Sequence, residues 1–446
     1  MRTKVDDGDD ARRSKQEERA ARALKEADVL LLVTGAGFSA DSGLAVYNDI
    51  GKVEAYQLRN LDYADICQPR WLKKDPELFY GFWGQCFNDY RNTKPHDGYQ
   101  ILRNWRDDKN LMQHQNDHGT TTVADEIRTR TLHKYHLRRP FDDDAARLLT
   151  PYKVDHEDIN QIAGSFFAFT SNVDAHHYDV FEAHEIHDCH GNIELWQCSN
   201  RGCETGIWRA PIDHKFVVDK EWMLAPKHVD ANANDGDDGN DGNDVDIDSK
   251  EVKEEKDGSI TDKGDSDNDN DGPAKVGHIK ATGEKRSNLL QYMPPGLDQK
   301  GWKDMGPLGN WPRCGHCESL ARPAILMFGD FGFHYDLPQH ERWDAWKEAV
   351  MDLTKSKSEK EGIQLKVCIL EIGCGINVST CRDLSETTVH HVARRGGEPT
   401  LIRINPDHPG APKEFVAADH IISIPSRGLE AIRRIDEIYK TLNQES

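Results

Sequence analysis

Hydrophobic residues in this chain gather in short unbroken runs, each closed by a glycine or a small polar residue. Val29-Leu30-Leu31-Leu32-Val33-Thr34 is the first, and it breaks into Gly35-Ala36-Gly37. A continuous run of that length, rich in Val and Leu, predicts a strand buried on both faces. Phe166-Phe167-Ala168-Phe169-Thr170 repeats the pattern and runs into Ser171-Asn172-Val173-Asp174. A third run, from Val367 to Ile372, ends in Gly373-Cys374-Gly375, and a fourth, from Thr400 to Ile404, ends in Asn405. A short fifth spans His420 to Ile424. Helical composition or periodicity fills several of the intervals. Ala11 to Glu26 is rich in Ala, Glu, Lys and Arg, Pro76 opens a segment with an aromatic face, and Tyr99–Trp105 and Arg427–Leu442 follow the same logic. Buried strands alternating with helices predict an α/β chain built on a doubly wound parallel sheet.

In such sheets the ligand contacts lie just past the carboxyl ends of the strands. The first strand, its glycine turn, and Ser39, Asp41 and Ser42 at positions suited to capping make a first βα turn fit for a diphosphate. The six-residue glycine fingerprint is not met, because position 40 is Ala.

Two regions lack the pattern. From Asp107 to about Ile159 polar residues dominate, which reads as an insertion with one or two short helices. From Asp230 to Pro273 the chain is Asp, Asn, Gly, Lys and Glu with almost no large apolar residue, a composition that predicts disorder. Asp267-Asn268-Asp269-Asn270-Asp271-Gly272 imitates the start of a calcium loop, but its twelfth position is His278 rather than Glu. The net charge of −21 argues against direct contact with nucleic acid or an anionic membrane surface. No apolar run approaches the ~18 residues of a membrane span. Met1 to Asp10 has no apolar leader, so an intracellular location, cytoplasmic or nuclear, is expected. The ten cysteines then read as free thiols or metal ligands.

Cys198 and Cys203 form one short-spaced pair, and Cys314 and Cys317 another. Four thiolates close a tetrahedral zinc site with no open position, so the metal would be structural. The pairs stand more than a hundred positions apart, and the acidic tract occupies much of the gap. His187, His190 and His316 are alternative ligands, and the isolated cysteines (Cys67, Cys86, Cys189, Cys368, Cys374, Cys381) read mostly as core. Cys189-His190-Gly191-Asn192 precedes the first pair. Its imidazole could take a proton from a hydroxyl near neutral pH, and Gly191 would let a ligand approach.

These pieces occur in a particular order: Gly35-Ala36-Gly37-Phe38-Ser39-x-x-Ser42-Gly43, Thr170-Ser171-Asn172-Val173-Asp174, His190-Gly191, the two cysteine pairs, Ala321-Arg322-Pro323-x-Ile325-Leu326-Met327-Phe328-Gly329-Asp330, Gly373-x-Gly375, Ile404-Asn405. The order resembles that of the sirtuins, NAD-dependent protein deacylases. The resemblance covers most of the chain outside the first ten residues and the stretches 107–160 and 220–300.

The resemblance implies a Rossmann-like large domain with a smaller zinc-ribbon and helical domain. Residues 11–48, 161–192 and 318–446 would form the NAD-binding part, and 1–10 a disordered start. Residues 49–160 would form the helical module with its polar insertion. Residues 193–317 would be the zinc-ribbon module, holding the disordered insertion at about 230–273. Position by position, it implies that Gly35, Ala36, Gly37, Ser39 and Ser42 hold the NAD diphosphate side. Ser171, Asn172 and Asp174 would line the nicotinamide and ribose pocket, with Asn172 sharing in catalysis. Gly373, Cys374 and Gly375 would flank the phosphates, and Asn405 would meet the adenosine ribose. His190 would be the general base. Ile325, Leu326, Met327, Phe328 and Gly329 would pair with an acyl-lysine protein substrate by strand addition. NAD would be consumed as co-substrate, one zinc would be structural, and the oligomeric state stays open.

The chain also departs from the family. Where sirtuins carry Ile-Pro-Asp-Phe-Arg after the second glycine, this chain has Leu44-Ala45-Val46-Tyr47-Asn48. A fixed charge is lost at Asn48, and an acid at Val46, although Asp49 is near. Ser171 replaces the family's Gln, and Gly375 its Ser. The altered loop keeps two alternatives in view, a mono-ADP-ribosyltransferase or NAD hydrolase and a catalytically weak zinc-containing binding module.

Overall fold

Six strands run parallel in one sheet, and five of them are the apolar runs of the sequence. In chain order they are β1 (Val29–Thr34), β2 (Phe166–Thr170), β3 (Ile186–Asp188), β7 (Lys366–Ile372), β8 (Glu398–Ile404) and β9 (Ile421–Ile424). Their order across the sheet is β3-β2-β1-β7-β8-β9. A second, antiparallel sheet has the order β5-β4-β6, from β4 (Gly191–Cys198), β5 (Ile207–Arg209) and β6 (Ala321–Ile325). The computed structural model describes residues 6–50, 52–111, 121–138, 162–228, 301–303, 309–411 and 420–444. The acidic tract, the calcium-loop imitation and residues 139–161 of the polar insertion lie outside the described residues.

The period-two geometry of a strand sends neighbouring side chains of β1 to opposite faces. Leu30 and Leu32 join one core with Phe166, Ala168, Leu370 and Ile402, while Val29, Leu31 and Val33 join another with Phe167, Phe169 and Ile369. Helices α1 (Asp6–Glu26), α8 (Gly98–Leu111) and α12 (Gly428–Gln444) cover the first face. Helices α9 (Val123–Arg138), α10 (Leu337–Ser356) and α11 (Thr380–Arg394) cover the second. Burial on both sides is the physical reason these strands read as unbroken apolar runs.

Helix α2 (Ala36–Ala40) follows the glycine turn, and four single turns come next: α3 (Tyr47–Ile50), α4 (Glu54–Gln57), α5 (Tyr63–Ile66) and α6 (Trp71–Lys74). Helix α7 (Pro76–Asn92) starts where proline predicts, with Asp75 accepting from the Leu78 N–H as its cap. Its aromatic face, Phe79, Phe82, Trp83 and Phe87, is core, packed with Trp196 and Phe216 against the small sheet.

Three expectations change. Residues 6–10, read as part of a disordered start, are the start of α1. Strand β6 pairs with β4, so residues 321–325 belong to the small sheet rather than the large one. Ser39, Asp41 and Ser42 do not cap the helix after β1: α2 begins directly after Gly35, with no side-chain cap, and Asp41 instead accepts from the Leu429 N–H in the first turn of α12.

Candidate functional site

Counted in chain order, the strands of the large sheet run 3-2-1-4-5-6, so the winding reverses between β1 and β7. In sheets of this kind the connections beyond such a reversal leave toward opposite faces, and the crevice at the strands' carboxyl ends is the usual ligand position. Gly35 and Gly37 donate their N–H groups to the carbonyls of Ile372 and Gly373, each at 3.0 Å. A Cβ on Gly35 would lie 2.8 Å from Cys374 Cα, and one on Gly37 the same distance from Gly373 Cα. Gly373 itself has φ +65°. The glycine spacing is therefore explained by contact between the two loops, before any ligand is invoked. Ala36 and Gly375 stay exposed on the crevice side of that contact, and a Cβ on Gly375 would meet open space. Asn405 braces the same turn: its Nδ2 donates to the Cys374 carbonyl at 2.9 Å, and its Oδ1 accepts from the N–H groups of Asp407 and His408.

The floor of the crevice is a buried polar set. Ser39 Oγ donates to the Asp174 carboxylate, and Asn172 Nδ2 donates to Ser39 Oγ at 3.0 Å. Asp174 also accepts from the His176 N–H at 2.8 Å. Burial pushes the Asp174 carboxyl up, but His176, the Ser39 hydroxyl and His177 outweigh it and hold it below its ordinary value. Beneath this set, Thr34 Oγ1 donates to Thr170 Oγ1 at 2.8 Å and lies 3.0 Å from His177 Nε2, while Asn172 N–H donates to Thr170 Oγ1. Burial pushes His177 down to about 4, so it is neutral at pH 7. Ser171 joins the set through its N–H, which donates to the Thr34 carbonyl at 3.1 Å. Ser42 stands apart, its Oγ accepting from the His96 N–H, and Asp41 accepts from the Leu429 N–H.

His190 follows β3 by two residues, and that strand end is pinned. Asp188 Oδ2 accepts from Tyr178 Oη and Asn192 Nδ2, both at 2.8 Å, and Gln339 of α10 bridges Tyr178, His187 and the Asp188 N–H. Burial pushes Asp188 up to about 7. The His190 ring lies near Ser171, one residue from Asn172, and the His190 carbonyl accepts from the Leu326 N–H at 2.9 Å. Burial lowers the His190 pKa, with Cys381 and the Ser171 carbonyl acting in the opposite sense. Gly191 has φ +71°, and a Cβ there would lie 1.9 Å from the Ala324 carbonyl. Close packing of β4 on β6, not ligand approach, is what demands glycine after His190.

The Ile325–Gly329 segment leaves the small sheet beside His190. Ile325 ends β6, Met327 is buried, and Phe328 and Gly329 are exposed. The Leu326 and Phe328 N–H groups already donate to the carbonyls of His190 and Cys67. Asp330 is held by Arg322, which also donates to the Ile325 carbonyl. A cavity of about 420 Å³ opens nearby between the two sheets, lined by His187, Asp188, Cys189, His334 and Asp383 among others. His190 is not among its lining residues.

At the far end of the small sheet, the thiols of Cys198, Cys203, Cys314 and Cys317 lie within 4.8 Å of one another. Cys198 Sγ is 3.4 Å from Cys317 Sγ, and Cys203 Sγ is 3.7 Å from Cys314 Sγ. A tetrahedron with metal–sulfur bonds of about 2.3 Å has edges of roughly 3.8 Å, so the four thiols fit one zinc. The Asn200 N–H donates to Cys198 Sγ, and Thr205 Oγ1 contacts Cys203 and Cys314. Such contacts orient thiolate ligands and temper their charge. His316 is exposed and His187 is buried against Gln339; neither belongs to this group.

Motif reading quotes Thr34 and Thr170 without giving them a role, and it misses His177, Asp188 and Gln339. A polar residue ending a buried strand was the visible signal at the two threonines. Asp49, near the departed family acid, pairs with Lys52 at 2.8 Å and accepts from the Val46 N–H.

No family model matches the chain. Over 86 residues it is 29% identical to an NAD-dependent protein deacylase of Thermococcus sibiricus, a stretch covering 19% of this chain and 32% of that protein. The match thus spans about a third of the relative's length. Among solved structures, a Sir2 homologue in complex with NAD is 15% identical, with a TM-score of 0.43 over 96% of this chain and 94% of the other. A structure concerning the basis of sirtuin substrate affinity is 14% identical, with a TM-score of 0.42 over 93% and 95%.

Proposed function

We propose that this chain is a sirtuin-type, NAD-dependent protein-lysine deacylase that transfers the acyl group to ADP-ribose and releases nicotinamide. The ordered motifs and the similarity to a named deacylase support the reading. The observation that carries it is the meeting, at the sheet's reversal point, of Ser39, Asn172 and Asp174 in one buried hydrogen-bonded set, with His190 near the adjacent Ser171.

The residues present suit NAD. The crevice is walled by glycine backbone and small side chains at Gly35, Ala36, Gly37 and Gly375, a shape that fits a diphosphate. Asp174, held ionised, suits the cationic nicotinamide end and the ribose hydroxyls. Bound NAD supplies the ribose that receives the acyl group. His190 supplies the base. Burial lowers its pKa, which favours the neutral ring that can accept a proton. Ile325 to Gly329 offer backbone to an acylated protein segment. Zinc, held by four thiolates with no open position, braces the small sheet and takes no part in the chemistry. Six cysteines as thiols and four as zinc thiolates suit the reducing intracellular setting, cytoplasmic or nuclear, that this reading carries.

Mass spectrometry after incubation with NAD and an acetyl-lysine peptide tests the reading. Acyl-ADP-ribose is the expected product. ADP-ribosyl protein or free ADP-ribose would instead favour the transferase or hydrolase, and no product the binding module. The His190→Ala variant should still bind NAD while turnover falls by roughly 10²–10⁴. Wild-type turnover in that variant would remove His190 from the mechanism.

A further inference from the structure

His190 sits on the two-residue link between β3 of the large sheet and β4 of the small one. That link is held from three directions. The Cys189 N–H donates to the Thr170 carbonyl of β2 at 2.9 Å, and the His190 carbonyl accepts from the Leu326 N–H just past β6, also at 2.9 Å. The third hold is a side chain. Gln339 is buried in the first turn of α10, and its Oε1 accepts from the Asp188 N–H at 2.9 Å.

A backbone N–H can only donate, so this bond sets which end of the carboxamide faces the strand. Oε1 also faces His187 Nδ1 at 3.1 Å, and that ring nitrogen carries the proton. Nε2 is left for Tyr178 Oη, 2.8 Å away. Tyr178 accepts there, so its own proton goes to Asp188 Oδ2 at 2.8 Å. Asn192 Nδ2 reaches the same oxygen at the same distance, and Asn192 Oδ1 accepts from the Glu194 N–H at 3.1 Å. The network therefore has one direction, from Gln339 through Tyr178 to Asp188, where Asn192 joins it. It holds the residues two positions before and two positions after His190.

We propose that Gln339 is a positioning residue for His190: its carboxamide holds Asp188 directly and Asn192 through it, and so fixes the segment that presents the imidazole. The effect on turnover rests on the deacylase reading, whereas the placement does not. None of the three bonds of the carboxamide reaches the set formed by Ser39, Asn172 and Asp174, so Gln339 acts on the base and not on the cofactor pocket. Its place in the chain ties the base to the substrate. The stretch that offers backbone at Ile325–Gly329 leads through one loop into α10. It touches the base segment twice, at Leu326 through the backbone and at Gln339 through the side chain. A substrate strand added along Ile325–Gly329 would therefore be registered against a base held by the same stretch. Because the bonds at Cys189 and Leu326 remain, loss of Gln339 loosens the link without releasing it. A misplacement of about 1 Å costs up to roughly 10²-fold in rate, so partial loosening should cost roughly ten-fold.

The test uses the full zinc-loaded chain and two variants. Gln339→Leu removes all three bonds of the carboxamide. Tyr178→Phe removes only the hydroxyl between Gln339 and Asp188, and it carries the test if the first variant fails to fold. In both, NAD affinity by calorimetry should stay close to wild type while kcat falls, roughly ten-fold in Gln339→Leu and less in Tyr178→Phe. The double variant should lose less than the product of the single losses, because both act through Asp188. A second readout needs no turnover. Site-resolved mapping of carbethoxylation by diethyl pyrocarbonate should show His190 reacting several-fold faster in both variants, with the exposed His316 unchanged. Unchanged carbethoxylation of His190 would overturn the role. So would wild-type kcat in both variants, NAD affinity falling in step with kcat, or single losses that multiply fully. Faster carbethoxylation in protein that never deacylates would leave the placement standing and fault the deacylase reading instead.

Discussion

Ser39 and Asp174, 135 positions apart in sequence, share a hydrogen bond beneath the crevice at the reversal point of the sheet. Ser39 lies on the single turn of helix after β1 and Asp174 in the loop after β2, so the bond ties together the two loops on which NAD binding is proposed. Ser39 also accepts from Asn172. Its hydroxyl is thus the joint between an amide and a carboxylate, both buried.

Replacing that joint should weaken cofactor binding more than folding. Ser39→Ala removes a donor from an ionised carboxylate, and such bonds contribute about 1.5–3 kcal/mol. The KM for NAD should rise about ten-fold or more if most of that loss is felt in binding. The thermal midpoint should drop by only a few degrees. Titration calorimetry with NAD and a melting curve check both; unchanged NAD affinity would separate Ser39 from the binding site.

Zinc should be structural and stoichiometric. Replacing Cys198, Cys203, Cys314 or Cys317 by Ala breaks a tetrahedral set that anchors the carboxyl end of β4 and the segment before β6. Zinc content measured by emission spectrometry should fall from one per chain, and a chelator should lower the thermal midpoint of the wild type. Folded, active protein free of zinc would contradict this.

The acid limb of the turnover profile should lie below pH 6.5. Burial lowers the His190 pKa from its ordinary 6.5, although Cys381 and the Ser171 carbonyl oppose it. A base works only when unprotonated, so turnover rises with pH through the folded-state pKa and is lost as pH falls through it. A limb with its midpoint above 6.5 would mean that another group, or a charged neighbour, sets the profile.

Parallel strands buried on both faces were legible because they leave continuous apolar runs, and five of the six large-sheet strands are of that kind. Ile186-His187-Asp188 has one apolar residue in three and pairs only with β2, so nothing in the pattern announces it. Helix α10 goes unassigned from pattern, although Asp336 as cap, Pro338 in the first turn, and Trp343, Trp346 and Val350 at helical spacing were there to be read. The ordered motifs pointed to Ser39, Asn172, Asp174 and His190, and the fold gathers them at one crevice. Their supports stayed hidden, because the partnerships of Thr34 with Thr170 and of His187 with Gln339 span well over a hundred residues. The glycines were legible as glycines but not for the right reason: backbone crossing between distant loops, absent from any local pattern, sets Gly37 and Gly191.

Arg403 and Glu371 should behave as a buried pair whose halves cannot be removed singly. They face each other in register across β7 and β8, and neither is exposed. The guanidinium grips Glu371 at 2.7 and 2.9 Å, reaches Glu386 at 2.8 Å and donates to the Gly410 carbonyl at 3.0 Å. Arg403→Met would leave the Glu371 carboxyl with only Arg382, 3.8 Å away, as a charged partner. Stranding a buried charge costs about 3–5 kcal/mol, whereas replacing both members with apolar residues of similar volume is often neutral. Urea unfolding at pH 7 should therefore show a loss of that size for Arg403→Met and recovery of most of it in Arg403→Met/Glu371→Leu. Because Asn405 follows Arg403 by two residues and braces the Cys374 turn, the single variant should also weaken NAD binding and the double variant should restore it. A single variant within about 1 kcal/mol of wild type, the range of an exposed pair, would show that the carboxyl is not truly withdrawn from water.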